Sequence, residues 1–424
     1  MKKIIKLGLG FATGRKSFRK VLNAYISNWS EARKNLPEDL DVHLNLFVAY
    51  DLDYLNTKST DYTNLSQEMV DAFEDIVFLG AKNALKSIDK LTKSERLSAT
   101  ELRSVFGAGY AGKRNAILFA ALENHVDYLL FLDDDEYPVA VTNNHNICLW
   151  SGQHVLRMHL NEIQHADYTN GYHCGYISPI PYMEFNEKLA ESDFRAFIEA
   201  ISNDIINWDN IRRLMQSGGV TYADTSVLTA KPVRDVQKIN GCKFISGANL
   251  CLNLQNPART FPFYNPPGAR GEDTFLSTLL SERVVRQIPC YAFHDGFSIY
   301  KHLLDGVLPT KLSPITSASA GIITRFLAAC TGWVRYKPLL VYLTRPEDYE
   351  REMQFMRQTL CETLPKIADY FHTDRFMAIL DEFEKYQKNT KKHYEQFQLT
   401  QRTWKKLLQV LEQSRESMQK SYPV

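Results

Sequence analysis

Residues 126–138 read VDYLLFLDDDEYP, in which the apolar run from Tyr128 to Leu132 leads straight into Asp133, Asp134, Asp135 and Glu136. An unbroken apolar run of this length, bounded by charge, predicts a strand buried on both faces at the centre of a sheet. Neighbouring carboxylates repel one another, and a cation among them relieves that repulsion. Alternation along a strand points Asp133 and Asp135 the same way, which makes the pair a candidate clamp for a divalent metal. The bland alternative, solvated acids at a strand end, leaves the clustering without a cause.

At 424 residues the chain exceeds a typical single domain, so a large domain with an appendage is expected. Its 50 basic and 49 acidic residues give a net charge of +1, which removes any global electrostatic case for a nucleic-acid partner. Seven cysteines (Cys148, Cys174, Cys242, Cys251, Cys290, Cys330 and Cys361) are scattered, with no Cys-x-x-Cys pair. That pattern suggests neither a disulfide framework nor a zinc site, and it fits a reducing cytoplasm. The opening MKKIIKLGLGFATG is interrupted by Lys6 and followed by Arg15, Lys16, Arg19 and Lys20, unlike a signal peptide. It is expected to be a first strand.

Upstream of the acids the pattern is that of an α/β unit. Ile4 to Leu9 predicts a strand, and Phe18, Val21, Leu22, Tyr25, Ile26 and Trp29 recur at helical spacing. Val42, Leu44, Leu46 and Val48 predict a second strand ending in Asp51-Leu52-Asp53, and Ile76 to Leu79 a third. Acids at strand ends mark the carboxyl edge of a parallel sheet, where open α/β folds bind ligands. For Asp51 alone a turn carboxylate is the commoner explanation.

The segment from Gly107 to Asn115, GAGYAGKRN, precedes the apolar helix AILFAALEN. Its glycines match both a dinucleotide fingerprint and a P-loop. The first needs a lone ribose acceptor and meets a cluster of acids instead. The second needs Ser or Thr after Lys113 to reach magnesium, and that position is Arg114. A P-loop-like NTPase using Gly107–Lys113 and Asp133–Glu136 is the rival to carry forward, with a non-catalytic binding protein as the rival outside enzymology.

The run GKRNAILFAALENHVDYLLFLDDDE resembles family-2-like glycosyltransferases of the glycosyltransferase-A fold, in which a Gly-containing turn and an Arg-Asn pair open the helix before an Asp-x-Asp strand. The resemblance spans residues 1 to about 305 and includes two later segments in family order. KFISGANLCLNL (243–254) resembles the Gly-Gly-Asn-like segment bordering the acceptor, and Glu272-Asp273 resembles the Glu-Asp motif. It implies a Rossmann-like mixed sheet flanked by helices over residues 1–310, followed by a C-terminal helical region, 311–424. It implies transfer of a sugar from a nucleotide-sugar donor to a hydroxyl acceptor, a saccharide in cell-surface glycan synthesis, with inversion. The cofactor would be Mn²⁺ or Mg²⁺ held by Asp133, Asp135 and His294. Asp51, Lys113, Arg114, Asp133 and Asp134 would bind the donor, and Gly247 and Asn249 would border the acceptor. Asp273 is the first choice of catalytic base and Glu272 the second.

Read from the residues alone, Gly247 equally suits a strand bulge, Glu272 and Asp273 an ordinary helix start, and His294 a structural strand-end histidine. A helix around Gln153–Ile163, a strand at 176–180, a helical insertion over 192–216, a strand pair within 243–254 and a last strand over 283–293 complete the expected order. No role is assigned to His145, His154, His159, His165 or His173, because no two stand at i, i+4. From about Lys311 the pattern is helical. The segment 318–334 is marginal for spanning a bilayer and is expected to be buried or interfacial. The stripes beyond Arg345 suit packing on the catalytic domain or a second copy in preference to peripheral contact at the inner face of a membrane.

Overall fold

The computed structural model describes residues 2–80, 97–145, 147–176, 178–202, 208–216, 219–295 and 321–421. Lys311 and the boundary expected near residue 310 lie outside them. The strands are β1 (Lys3–Thr13), β2 (Leu40–Tyr50), β3 (Asp75–Phe78), β4 (Tyr128–Leu132), β5 (Glu136–Tyr137), β6 (Val139–Asn144), β7 (Ile147–Gly152), β8 (Tyr168–Cys174), β9 (Arg234–Asp235), β10 (Leu250–Asn253) and β11 (Val285–His294). One mixed sheet runs in the order β3-β2-β1-β4-β10-β8-β11-β5, with β9 pairing β11, and β6 and β7 form a separate hairpin.

The first half of the sheet is parallel. β1 pairs with β2 on one side and β4 on the other, with Phe11 opposite Leu132. The chain therefore winds outward through β2 and β3 and returns across β1 to β4. That reversal makes the carboxyl ends of β1 and β4 a topological switch point, where open α/β sheets form a crevice. Every residue of β4 is buried, as its sequence requires, because helices cover both faces of the sheet. On one face Phe18, Val21, Leu22, Tyr25, Ile26 and Trp29 of the Phe18–Ala32 helix pack on β1, β2 and β4. On the other lies the Tyr110–Glu123 helix, buried nearly all round between the sheet and Trp404 and Leu407 of the C-terminal helix Thr390–Ser421.

Two expected strands differ. The run 176–180 is no strand in its described residues, and the strand lies earlier, at Tyr168–Cys174. The sequence TNGYHC hid it, since Asn170 and His173 look solvent-facing. Only Leu250–Asn253 of the expected pair is extended, because Asn249 adopts φ 49° and ends the ladder.

The helical part is not only C-terminal. Glu191–Ile201 and Trp208–Gln216 share one apolar core with the Ile322–Thr344, Tyr349–Tyr370 and Ala378–Lys388 helices. Those helices then dock on the sheet unit: Tyr264, Phe275, Tyr336, Leu339, Leu340 and Phe397 form a joint cluster, and Trp404 Nε1 donates to Thr260 Oγ1 at 3.2 Å. The apolar stripes of the tail are thus buried against the rest of the chain. Among the described residues no helix is long and apolar enough to cross a membrane.

Candidate active site

β4 ends at Leu132, so Asp133, Asp134 and Asp135 occupy a turn and strand alternation does not govern them. All three line one cavity of about 210 Å³ together with Arg15, Arg114, Arg270, Glu272, His294, Tyr54, Tyr110 and Ala12. The two acids expected to act alike are held by different cations. Asp133 meets Arg114 Nη2 at 3.2 Å, whereas Asp135 meets Arg15 Nη1 at 2.7 Å and His294 Nε2 at 3.5 Å. Asp134, between them, is nearly enclosed. It accepts from Thr13 Oγ1 at 2.6 Å and from Arg15 at 2.5 Å. Thr13 and Arg15 come from the end of β1 and the acids from the end of β4, so the switch-point crevice assembles the cluster.

The charge is incompletely compensated. Burial pushes Asp133 up to about 7 and Asp135 up to about 8, with their acidic neighbours adding to the rise and the arginines only partly opposing it. Behind them Glu136 pairs with His173 Nδ1 at 3.0 Å. Burial alone would raise Glu136, but His173 outweighs it and pulls the carboxyl below its usual range. Among the described residues Glu136 Oε2, His173 Nε2 and His294 Nδ1 are buried without a hydrogen-bond partner. Burial also holds His294 below its ordinary value, toward the neutral imidazole.

His294 arrives through sheet pairing. It stands opposite Glu136 in the antiparallel β11–β5 ladder, and Asp295 N–H donates to the Asp135 carbonyl at 2.8 Å. Two carboxylates and a neutral imidazole suit a hard or borderline divalent ion. Among the described residues, however, no three Asp, Glu, His or Cys side chains converge tightly enough to ligate an ion unaided. An ion bound there would need water or ligand oxygens to complete its shell.

Arg114 ties this cluster to the Glu272–Ser277 helix. Its buried guanidinium donates to the Gly247 carbonyl, meets Asp133, and lies 3.4 Å from Glu272 through Nε. A Cβ on Gly247 would come within 3.1 Å of Arg114 Nη2, so glycine there admits the guanidinium. Asn115 is wholly buried and grips the Phe263 loop, accepting from Phe263 N–H at 2.7 Å and donating to the Phe263 and Val105 carbonyls. The Arg-Asn pair thus connects the acids to two distant loops.

Several expected contacts fall elsewhere. Lys113 pairs with Asp51 at 2.8 Å, and neither lines the acid cavity. Of the acceptor pair, Asn249 is fully buried, bonded to His159 Nε2 at 2.8 Å and the Tyr172 carbonyl at 3.0 Å, and Gly247 faces Arg114. Asp273 is bound inward, accepting from Gly247 N–H at 3.2 Å and Thr274 N–H at 2.8 Å. Burial, reinforced by Glu272, raises it to about 6. Glu272, the second choice of base, is the one that faces the cavity.

The glycine segment also has a packing cause. A Cβ on Gly112 would collide with the Gly107 carbonyl, so glycine lets the helix start fold against its own approach. The element before it is the Ala99–Phe106 helix, not the strand that a P-loop requires.

Arg15, Tyr110, Arg270 and the Glu136–His173 pair have no sequence signal of their own. Arg15 comes close only because β1 runs on to Thr13, past the strand expected at Ile4 to Leu9. No family model matches the sequence, and no curated protein matches it.

Proposed function

We propose that the chain is a metal-dependent glycosyltransferase that moves a sugar from a nucleotide-sugar donor to a hydroxyl acceptor, a saccharide in cell-surface glycan synthesis at the cytoplasmic side. The observation that carries this reading is one cavity at the β1–β4 switch point. It holds incompletely compensated acids, His294 and, joined to Asp133 through Arg114, the Glu272 carboxylate at a helix start. A cation and a proton acceptor are what sugar transfer from a diphosphate demands.

A divalent ion held by Asp133, Asp135 and His294 would neutralise charge on the leaving diphosphate. Arg15 pairs with Asp134 and Asp135 at the cavity wall, and Arg270 adds positive charge to the lining that holds Glu272. Glu272 takes the proton of the attacking hydroxyl, whose own pKa lies far above neutrality. Asp273 acts as a positioning residue through its bond to the Gly247 N–H, which presents the carbonyl gripped by Arg114. A carboxylate base acting directly on the attacking hydroxyl corresponds to transfer with inversion.

Calorimetry with UDP and GDP in the presence of Mn²⁺ tests the site. Asp135→Ala should abolish metal-dependent nucleotide binding; binding as tight as wild type, or as tight in EDTA, refutes the assignment. Turnover of ATP without turnover of any nucleotide sugar would favour the NTPase alternative.

A further inference from the structure

A second, larger cavity adjoins the acids and is left without a role by that mechanism. It measures about 810 Å³, within the range of small-molecule sites. Three segments far apart in sequence wall it: the end of the Ala99–Phe106 helix with the glycine turn, the loop from Phe263 to Arg270, and the C-terminal helix through Gln396, Leu399 and Thr400. It shares Tyr110, Arg270 and Glu272 with the acid cavity. A molecule lying in it therefore ends at the Glu272 carboxylate.

The walls are fixed by bonds that do not depend on a ligand. Thr400 Oγ1 donates to the Ser104 carbonyl at 3.0 Å, and Asn115 holds both Val105 and Phe263. The lining combines Val105, Phe263, Tyr264 and Leu399 with two exposed guanidinium groups, Arg103 and Arg270. Among its described residues Glu272 is the sole carboxylate, and it already meets Arg114. An apolar body with a negative group complements such a surface.

We propose that this cavity binds an amphipathic anion, its ring or acyl body between the Phe263–Tyr264 loop and Leu399 and its negative group at Arg103 or Arg270. Resting on the transferase reading, this ligand is the acceptor, a saccharide that carries the anionic apolar group and presents its hydroxyl at Glu272, and the C-terminal helix is part of the substrate site. The probe is 8-anilinonaphthalene-1-sulfonate, titrated by fluorescence onto the full chain. Wild type should bind one molecule. Leu399→Trp and, separately, Ala108→Trp on the exposed glycine turn should each weaken binding roughly tenfold by filling the cavity from different walls, and Arg103→Ala several-fold. Absent binding, or unchanged affinity in both tryptophan variants, overturns the proposal. UDP or GDP with Mn²⁺ is titrated onto the same proteins. Loss of nucleotide binding alongside the dye would mark the cavity as the donor's and also overturn it. If wild type binds the dye as expected but no nucleotide, the cavity stands as a ligand site and the transferase reading fails.

Discussion

Two buried polar clusters occupy neighbouring strands of this sheet, and they solve the same problem oppositely. Around His159 every group is answered. Its Nδ1 bonds Thr169 Oγ1 at 2.7 Å and its Nε2 bonds Asn249 Oδ1, while Asn170 bridges Ser246 N–H and the Asn249 carbonyl at 3.1 Å each. Burial leaves the imidazole neutral, pushed down to about 4. Around Asp135 the acids exceed the cations, two are pushed far above their usual range, and three buried polar atoms lack partners among the described residues. A satisfied cluster fixes strand order and has nothing left to offer a ligand; an unsatisfied one costs stability and leaves groups open to one. Polarity and burial alone do not separate structure from chemistry, but the balance of partners does.

The sharpest break of this contrast lies in the Glu-Asp pair. Glu272→Gln should lower sugar transfer by a factor on the order of 10² to 10⁴ with little change in donor binding, since only proton acceptance is lost. Asp273→Asn should cost less; a larger loss there would return the base to Asp273. Activity is measured as product released from the nucleotide sugar that a donor panel identifies.

In the satisfied cluster the effect should be on stability. Asn249→Ala strands His159 Nε2 and should cost about 2–4 kcal/mol in urea unfolding, with nucleotide and Mn²⁺ affinity retained. Loss of affinity at wild-type stability would mean that Asn249 belongs to the site after all.

The same cluster carries a pH signature. Because folding lowers His159 from 6.5 to about 4, the unfolded chain takes up the proton first. Its contribution is whole above pH 6.5 and lost as pH falls toward 4, at up to about 1.4 kcal/mol per unit. Unfolding midpoints at pH 7, 6 and 5 should fall more steeply in wild type than in His159→Gln; parallel slopes would contradict the buried neutral ring.

The smallest effect belongs to a surface pair. Lys406 meets Glu101 at 2.5 Å between the C-terminal helix and the Ala99–Phe106 helix. The lysine is half exposed, so Lys406→Ala should shift stability by under about 1 kcal/mol and should shrink further in high salt. A loss of several kcal/mol would show that helix docking depends on this charge and not on Trp404 and Leu407.

The amino-acid sequence by itself determined the elements whose pattern is local. The apolar run of β4, the period of the Phe18–Ala32 helix and the acids at strand ends each follow from spacing, and together they place the acid cluster at the carboxyl edge of a parallel sheet. Strand Tyr168–Cys174 escaped because its polar side chains are satisfied by residues far away in the chain, so its composition imitates a loop. Which carboxylate faces the cavity was likewise beyond local pattern. Glu272 and Asp273 are equivalent as sequence, and the Gly247 N–H, brought in by the fold, binds one and leaves the other facing the cavity. The pairing of His294 with Glu136, the division of Asp133 and Asp135 between Arg114 and Arg15, and the wall contributed by the C-terminal helix have the same origin. Each depends on strand order and helix docking, which are set by burial summed over the whole chain and leave no mark at any one position.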